Sequence, residues 1–285
     1  MSTLRFLKGH GTENDFVIVP DADGALDLDA RHVAALCDRR AGIGADGLLR
    51  VVRSAKDPAA AHMADEAEWF MDYRNSDGSI AEMCGNGVRV FARYLVESGE
   101  AAPGDLRIAT RGGVKTVRVP ADGGDVTAEM GSARFPGPDG IEVTLPDGTV
   151  RPAVNVNMGN PHAVVFVDHL DDAGTLYTAP PVTPASAYPE GMNIEFVVDR
   201  APGHVAMRVH ERGSGETRSC GTGACAVMVA TARRDGAELP ATYTVDVPGG
   251  RLVITEFADG RVEMTGPAVI VAEGEVDLAR LTMRG

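Results

Sequence analysis

Short apolar runs with alternating or β-branched residues recur along this chain and predict a largely β-sheet protein. The clearest runs are residues 16–19, 114–119, 163–167, 205–209, 243–247 and 252–255. Glycine and proline, with 34 and 17 residues, interrupt the runs and indicate turns between strands. Apolar residues at helical spacing are fewer, and they predict helices over residues 29–39, 88–97 and 224–234.

Three segments lack a clear period and predict connections. Residues 54–68 are rich in alanine and acidic side chains, which favours a surface excursion. Residues 168–190 contain several prolines and predict a long connection. Residues 120–140, rich in proline and glycine, predict the crossover between two halves of the chain.

The order of motifs in the first half returns in the second and indicates an internal repeat. Each half has a polar turn leading into a strand, then a second strand, then a C-G-x-G motif that opens a helix. In the first half these segments are residues 11–17, the strand ending near Tyr73, and the motif Cys84-Gly85-Asn86-Gly87. In the second half they are residues 159–164, the strand ending near His210, and the motif Cys220-Gly221-Thr222-Gly223. Asn75 and Glu211 each lie nine residues before the cysteine of their half. The repeat predicts a pseudo-twofold molecule whose cleft is lined by equivalent elements of both halves.

A cysteine before Gly-x-Gly at a helix start has two chemical advantages. The first N–H groups of a helix lack internal partners and carry partial positive charge, which lowers the pKa of a thiol placed there. Glycines let the backbone approach a ligand, so the same N–H groups can hold a carboxylate. The common alternative for a cysteine is a buried small residue, and we interpret Cys37 and Cys225 in that way.

Two such thiols on opposite sides of one carbon can invert it without a cofactor. One thiolate removes the proton from one face while the other thiol delivers a proton to the opposite face. The helix starts stabilise the charge that develops on the neighbouring carboxylate. Cys84 and Cys220 are therefore the expected base and acid of an epimerase.

Polar residues near the motifs are candidates for holding the substrate. Glu211 and Arg212 are suited to an amino-acid head, with the carboxylate on the ammonium group and the guanidinium on the carboxylate. His162, beside Asn160, is a candidate positioning or proton-transfer group. The alternatives are a surface salt bridge for Glu211-Arg212 and a structural role for the histidine.

Composition excludes several other classes of function. The net charge of -14 argues against nucleic acid or an anionic membrane as partner. The chain shows no signal peptide and no apolar run long enough to span a membrane, so we expect a cytoplasmic protein with reduced thiols.

Without paired C-x-x-C units no metal site is expected. Only three lysines are present, which disfavours a Schiff-base cofactor such as pyridoxal phosphate. The G-x-G-x-x-G match at residues 42–47 follows a helix and precedes a strand, the reverse of the dinucleotide-binding order.

At these motifs the chain resembles the diaminopimelate epimerase family over nearly its whole length. The resemblance rests on residues 8–16, 75–79, Cys84-Gly85-Asn86-Gly87, residues 157–162, Asn193 and residues 211–225. It implies an α+β fold of two pseudo-symmetric domains, each a curved, mostly antiparallel sheet or barrel around a central helix, with the active site in the cleft between them. The implied domains are residues 1–126 with 267–285, and residues 127–266.

The resemblance also implies the activity and the site. The activity is the isomerisation of LL- to meso-diaminopimelate, a step toward lysine and peptidoglycan, with no cofactor and with a homodimer possible. Cys84 and Cys220 would be the base and acid, assisted by His162 and Glu211. The substrate would be held by Asn14, Asn75, Gly85, Asn86, Asn160, Asn193, Glu211, Arg212, Gly221 and Thr222.

Two positions depart from the family pattern, and two other functions stay open. The family often has Gln where Gly47 stands, so the contact made by that glutamine side chain is absent here or supplied by another group. Glu13 replaces a small residue, with little expected effect.

One alternative is a related racemase that needs no pyridoxal phosphate and acts on another amino acid such as histidine. The other is a redox or binding protein in which Cys84 and Cys220 form a regulatory disulfide.

Overall fold

The computed structural model describes residues 3–137 and 140–282. The chain forms two compact units, Met1–Ala128 with Pro267–Gly285, and Glu129–Gly266. In the described residues no helix is long and apolar enough to cross a membrane.

The first unit is a sheet of eight strands with three helices. The strands are β1 (Thr3–Gly11), β2 (Asn14–Pro20), β3 (Gly47–Arg53), β4 (Trp69–Asn75), β5 (Gly104–Thr110), β6 (Gly113–Val119), β7 (Val126–Ser132), whose last residues belong to the second unit, and β18 (Val269–Asp277). The helices are α1 (Ala30–Cys37), α2 (Gly85–Glu97) and α4 (Leu278–Thr282), with short 3-10 turns at Ser54–Lys56 and Ala61–Met63.

The second unit has ten strands of its own and one long helix. The strands are β8 (Glu142–Thr144), β9 (Val150–Asn157), β10 (Pro161–Phe166), β11 (Val182–Thr183), β12 (Asn193–Ala201), β13 (His204–Glu211), β14 (Gly215–Thr217), β15 (Ala241–Val247), β16 (Gly250–Glu256) and β17 (Arg261–Gly266). The helix is α3 (Gly221–Arg234), and 3-10 turns lie at Leu170–Ala173 and Ala185–Ala187.

Strand pairing follows the same order in both units. In the first unit, β1 to β7 pair in chain order, with β2/β3 and β4/β5 parallel and the other pairs antiparallel. In the second unit, β9, β10, β12, β13, β15, β16 and β17 pair in that order, with β10/β12 and β13/β15 parallel and the rest antiparallel. The matching order agrees with the internal repeat seen in the sequence.

One buried helix lies at the centre of each unit. Helix α2 is buried from Gly85 to Leu95 and packs on strands of its own sheet from β1 to β6 and on β18. Helix α3 is buried from Gly223 to Ala232 and packs on β9, β10, β12, β13 and β15 to β17. A helix that is covered on all sides is typical of a core element, because it leaves no face for water. The predicted α+β fold, with mostly antiparallel sheets around central helices, is confirmed.

The sequence-based boundaries need small corrections. Helices α2 and α3 begin at Gly85 and Gly221, three residues before the predicted starts, because the glycines form the first turn. The segment at residues 54–68 is largely exposed as predicted, but Ala60, Met63 and Ala67 are buried against Val52 and Phe70. Short elements also occur within residues 168–190 and 120–140, which were predicted as connections. Residues 138–139 of the second segment lie outside the described residues.

Candidate active site

Both motif cysteines cap the start of a central helix. The backbone of Cys84 is extended, with φ -137° and ψ 120°, and its Sγ accepts the N–H of Gly87 at 3.4 Å. Cys220 is also extended, with φ -117° and ψ 112°, and its Sγ accepts the N–H of Gly223 at 3.4 Å. The two halves therefore place their thiols in equivalent positions, each at the positive end of a helix dipole.

The glycine at the end of the second motif makes room for a carboxylate. A Cβ atom at Gly223 would lie 2.7 Å from Glu195 Oε1 and 3.2 Å from Cys220 Sγ. Both distances are shorter than ordinary contacts, so a larger residue would displace the carboxylate or the thiol. Gly85 and Gly221 occupy the first helical positions, where the N–H has no partner within the helix.

Asn14 links the first thiol to its surroundings. Its Oδ1 accepts from Asn86 Nδ2 at 3.2 Å and from the Cys84 thiol at 3.6 Å. Its Nδ2 donates to Asp46 Oδ2 at 2.9 Å. The structure thus brings together three of the predicted site residues, Asn14, Cys84 and Asn86, and it adds Asp46.

An ion-pair network holds Asp46. Arg39 Nη2 lies 2.6 Å from Asp46 Oδ1 and 2.7 Å from Asp15 Oδ1, and Lys8 Nζ lies 2.5 Å from Asp15 Oδ2. Burial raises the pKa of the Asp15 carboxyl, but hydrogen bonds from Arg39 and Lys8 outweigh it and lower the pKa to about 2. Asp46 was not predicted from the sequence, although it lies in the G-x-G-x-x-G match at residues 42–47.

Asn75 is held by its own strand and turn. Its Oδ1 accepts from the Tyr73 hydroxyl at 3.0 Å, and its Nδ2 donates to Ser79 Oγ at 3.0 Å. Gly47 pairs with Asn75 across β3 and β4. A Cβ at Gly47 would lie 2.7 Å from both Tyr73 Cε2 and the Arg74 carbonyl oxygen. The Tyr73 ring therefore takes the space beside Gly47, and a Gln does not fit there without displacing it.

The turn before Asn14 has an unusual backbone. Thr12 and Glu13 connect β1 to β2 with φ 50° and 59°, the left-handed region that favours glycine. Glycine at position 13 would adopt this conformation at lower cost, because it has no Cβ.

The second thiol is surrounded by carboxylates. Burial raises the pKa of Cys220 well above its usual value, and the charges of Glu211 and Glu195 raise it further. Hydrogen bonds from Thr222 and Gly223 act in the opposite direction but are weaker. The predicted lowering of the thiol pKa is wrong for Cys220, because desolvation and two acidic neighbours outweigh the helix start.

The Glu211 carboxylate accepts a hydrogen bond from the Thr217 hydroxyl. Burial raises the pKa of Glu211, and interactions with the Thr217 hydroxyl and the Cys220 thiol reduce that effect. The charge of Glu211 in turn raises the pKa of Cys220. Glu211 and Cys220 therefore influence each other's protonation, which the spacing of nine residues did not specify.

His162 is fully buried between two polar side chains. Its Nδ1 lies 2.7 Å from Glu195 Oε1 and its Nε2 lies 3.0 Å from Asn160 Oδ1. Both His162 and Glu195 are 0% exposed, and Glu195 Oε2 has no hydrogen-bond partner among the described residues. Glu195 was missed because it is one acidic residue inside the apolar strand β12.

Asn193 fixes the backbone that carries Arg212. Its Oδ1 accepts the N–H of Arg212 at 2.9 Å, and its Nδ2 contacts the Pro161 carbonyl oxygen at 3.4 Å. Arg212 is exposed and borders a cavity of about 290 Å³ with Met192 and His210. Asn193 thus has a structural contact in addition to its predicted substrate role.

The remaining cysteines are core residues, as predicted. Cys37 and Cys225 are buried, and none of the four cysteines forms a disulfide within the described residues. Burial raises the pKa of Cys37 to about 12. Within residues 3–137 and 140–282, no cluster of three or more His, Cys, Asp or Glu side chains is arranged to hold a metal ion.

Known proteins share both the sequence and the fold. The family model for diaminopimelate epimerase matches residues 6–136 and 154–271. The diaminopimelate epimerase of Streptomyces coelicolor is 70% identical, over 99% of this chain and 98% of its own length. That of Thermobifida fusca is 50% identical, over 98% of this chain and 100% of its own length.

Several solved structures of low sequence identity share the fold of this chain. A phenazine biosynthesis protein of the PhzF family from Bacillus anthracis has a TM-score of 0.72 at 19% identity, covering 97% of this chain and 100% of that one. A probable proline racemase from Agrobacterium radiobacter has a TM-score of 0.68 at 16% identity, covering 96% and 93%. The family model and the relatives confirm what the cysteine motifs indicated: the chain belongs to the diaminopimelate epimerase family.

Proposed function

We propose that this chain is an isomerase that epimerises LL-diaminopimelate to meso-diaminopimelate, with Cys84 and Cys220 as its two acid–base groups. The observation that carries the proposal is the paired use of cysteine as a helix cap. Each thiol accepts an N–H of the first turn of a buried helix, in equivalent positions of a repeated fold. Cysteines that serve only as small core residues would not be expected at the N-cap of the central helix in both halves of the fold.

One thiol group accepts a proton from the substrate while the other donates a proton to it. Cys84 as thiolate takes the α-proton, and the Cys220 thiol gives its proton to the other face of the same carbon. The reverse reaction exchanges these roles. Burial and the charges of Glu211 and Glu195 raise the pKa of Cys220, which supports a protonated starting state for that thiol.

Backbone groups stabilise the intermediate charge. The amides of Gly85 and Asn86, and those of Gly221 and Thr222, belong to the first helical turns and point their N–H groups toward the helix start. A substrate carboxylate held there gains negative charge when the α-proton leaves, and fixed N–H donors favour that charge.

Side chains hold the rest of the substrate. Asn14, Asn75, Asn160, Asn193, Glu211 and Arg212 bind the distal amino-acid end of diaminopimelate. Glu211 also assists the chemistry, since its charge raises the pKa of Cys220 and favours the protonated thiol. His162 orients Asn160, with which it shares a hydrogen bond of 3.0 Å.

The wider context follows from the proposed reaction. The product serves lysine and peptidoglycan synthesis in the cytoplasm, the enzyme uses no pyridoxal phosphate, and two copies form a homodimer. Residues 1–126 with 267–285 and residues 127–266 act as the two epimerase domains. Activity in the presence of hydroxylamine, which removes pyridoxal phosphate, tests the cofactor statement, and light scattering tests the dimer.

Racemisation of another amino acid such as histidine is the weaker candidate. The relatives at 70% and 50% identity are both diaminopimelate epimerases. Exchange of the α-proton of histidine with solvent, without exchange in diaminopimelate, would reverse this preference.

The test is to measure exchange and inversion separately in deuterated water. The unaltered protein is expected to invert one α-carbon and to incorporate solvent deuterium there. Cys84→Ala and Cys220→Ala are each expected to lower net inversion by roughly 10² to 10⁴-fold, the usual contribution of one acid–base group. Cys225→Ala, a change in the buried core of α3, is the matched control and keeps inversion. Inversion that persists in either motif variant contradicts the proposal.

A further inference from the structure

Asp46 is a charged residue at the site that the proposed reaction does not use. Three donors of the described residues reach its carboxylate: Arg39 donates to Oδ1, while Asn14 Nδ2 at 2.9 Å and the N–H of Asp15 at 3.3 Å donate to Oδ2. A carboxylate can only accept hydrogen bonds. It therefore determines which end of the Asn14 amide faces it.

The opposite end of the Asn14 amide faces Cys84. Oδ1 accepts from Asn86 Nδ2 at 3.2 Å and from the Cys84 thiol at 3.6 Å. An amide oxygen stabilises a thiol that donates to it and repels a thiolate. A half-turn of the amide would bring an N–H to the sulfur and favour the thiolate instead.

We propose that Asp46 is a positioning residue that fixes the Asn14 amide with its oxygen toward Cys84 and thereby shifts the equilibrium of that cysteine between thiolate and thiol toward the thiol in the absence of substrate. Rotation of the amide would bring its oxygen against the Asp46 carboxylate, so the carboxylate opposes the rotation. The inference rests on the proposed function only in treating Cys84 as the base.

If Asp46 acted on the Cys84 thiol only through its negative charge, removal of another carboxylate of the same network would have the same effect. Asp15 allows this alternative to be tested. The charged groups of this network are Lys8, Asp15, Arg39 and Asp46. Asp15 carries the same charge and shares Arg39 with Asp46, but its side chain bonds Lys8, Arg39 and the N–H of Asp46 rather than the Asn14 amide. Asp15→Asn therefore removes a neighbouring charge without releasing the amide.

The experiment measures alkylation of each cysteine by iodoacetamide across pH, resolved by peptide mass spectrometry. In Asp46→Asn the charged Arg39 attracts the new side-chain oxygen, so the NH2 group takes the place of Oδ2, loses the long bond from the Asp15 N–H and faces Asn14, whose amide therefore rotates. The midpoint of the Cys84 profile is then expected to fall by roughly one pH unit, a tenfold change in thiolate at a given pH. Asp15→Asn is expected to shift the midpoint much less, and Cys220 in the same sample serves as the internal reference.

Equal shifts in the two variants, or no shift in Asp46→Asn, overturn the proposal. If Asp46→Asn does not fold, Asn14→Ala provides the second test, because loss of the amide oxygen should lower the Cys84 midpoint in the same direction. An unchanged midpoint in Asn14→Ala also overturns it. Alkylation needs no substrate, so this result is independent of whether the unaltered protein epimerises diaminopimelate.

Discussion

At the scale of single residues, Gly47 shows how one position limits what the site can contain. Its place in β3 leaves no room for a side chain, because the Tyr73 ring and the Arg74 carbonyl oxygen close the space. The Tyr73 hydroxyl donates to Asn75, a proposed substrate ligand. The tyrosine that positions Asn75 thus fills the space beside Gly47.

Gly47→Ala is expected to destabilise the protein. The added Cβ would lie 2.7 Å from backbone and ring atoms, and such overpacking costs about 1–3 kcal/mol. Urea unfolding measures the change. Gly137→Ala is the control, because a Cβ there meets no atom within 4 Å. Equal stability of the two variants would show that Tyr73 moves aside without cost.

The residues of the site differ in how far the sequence reveals them. Cys84, Asn86 and Asn14 lie in polar, glycine-containing segments, and such segments differ visibly from the apolar strands around them. Glu195 carries no local signal of this kind, and the glycine-containing segment of Asp46 resembles a dinucleotide motif in the wrong structural order. Their importance arises from contacts with His162 and Asn14, which are distant in sequence and become neighbours only through strand pairing.

At the scale of secondary structure, the thiols of Cys84 and Cys220 also hold the first turns of α2 and α3. The sulfur of each accepts an N–H that the helix itself cannot satisfy. This explains why both helices begin three residues before the apolar pattern does. Glycine is a poor helix former, so the sequence pattern alone cannot place these starts.

Replacement of Cys84 by Ser or Ala should separate its chemical role from its capping role. Serine is a good N-cap and alanine is not, so Cys84→Ser is expected to be more stable than Cys84→Ala by about 1 kcal/mol. Both variants lose inversion, since neither offers a thiolate. Thermal unfolding together with the epimerase assay measures both effects. If Cys84→Ala proves as stable as Cys84→Ser, the capping role does not hold.

At the scale of the whole molecule, the repeat was visible in the order of motifs, but the strand order was not. The parallel neighbours β2/β3 and β10/β12 are joined by long connections, 21–46 and 167–192. Periodicity identifies strands but does not say which of them pair across such distances. Only the structure shows that both halves use one pairing scheme.

Acid is expected to destabilise the protein in a definite pH range. Hydrogen bonds from Arg39 and Lys8 outweigh burial and lower the pKa of Asp15 from 3.8 to about 2. A depressed pKa in the folded state contributes stability above pH 3.8, and this stability is lost as the pH falls to about 2. Urea unfolding at successive pH values measures the loss. Asp15→Asn should be less stable near neutral pH and show a shallower decline, and an equally steep decline would assign the loss to other carboxylates.

The sulfur caps have a consequence for motion during turnover. A thiolate is a stronger hydrogen-bond acceptor than a thiol, so each transfer of a proton changes the bond from sulfur to Gly87 or Gly223. The leading turn of one helix tightens as the other loosens, and the two exchange states with every catalytic cycle. Amide hydrogen exchange at these two glycines would therefore report which sulfur carries the charge.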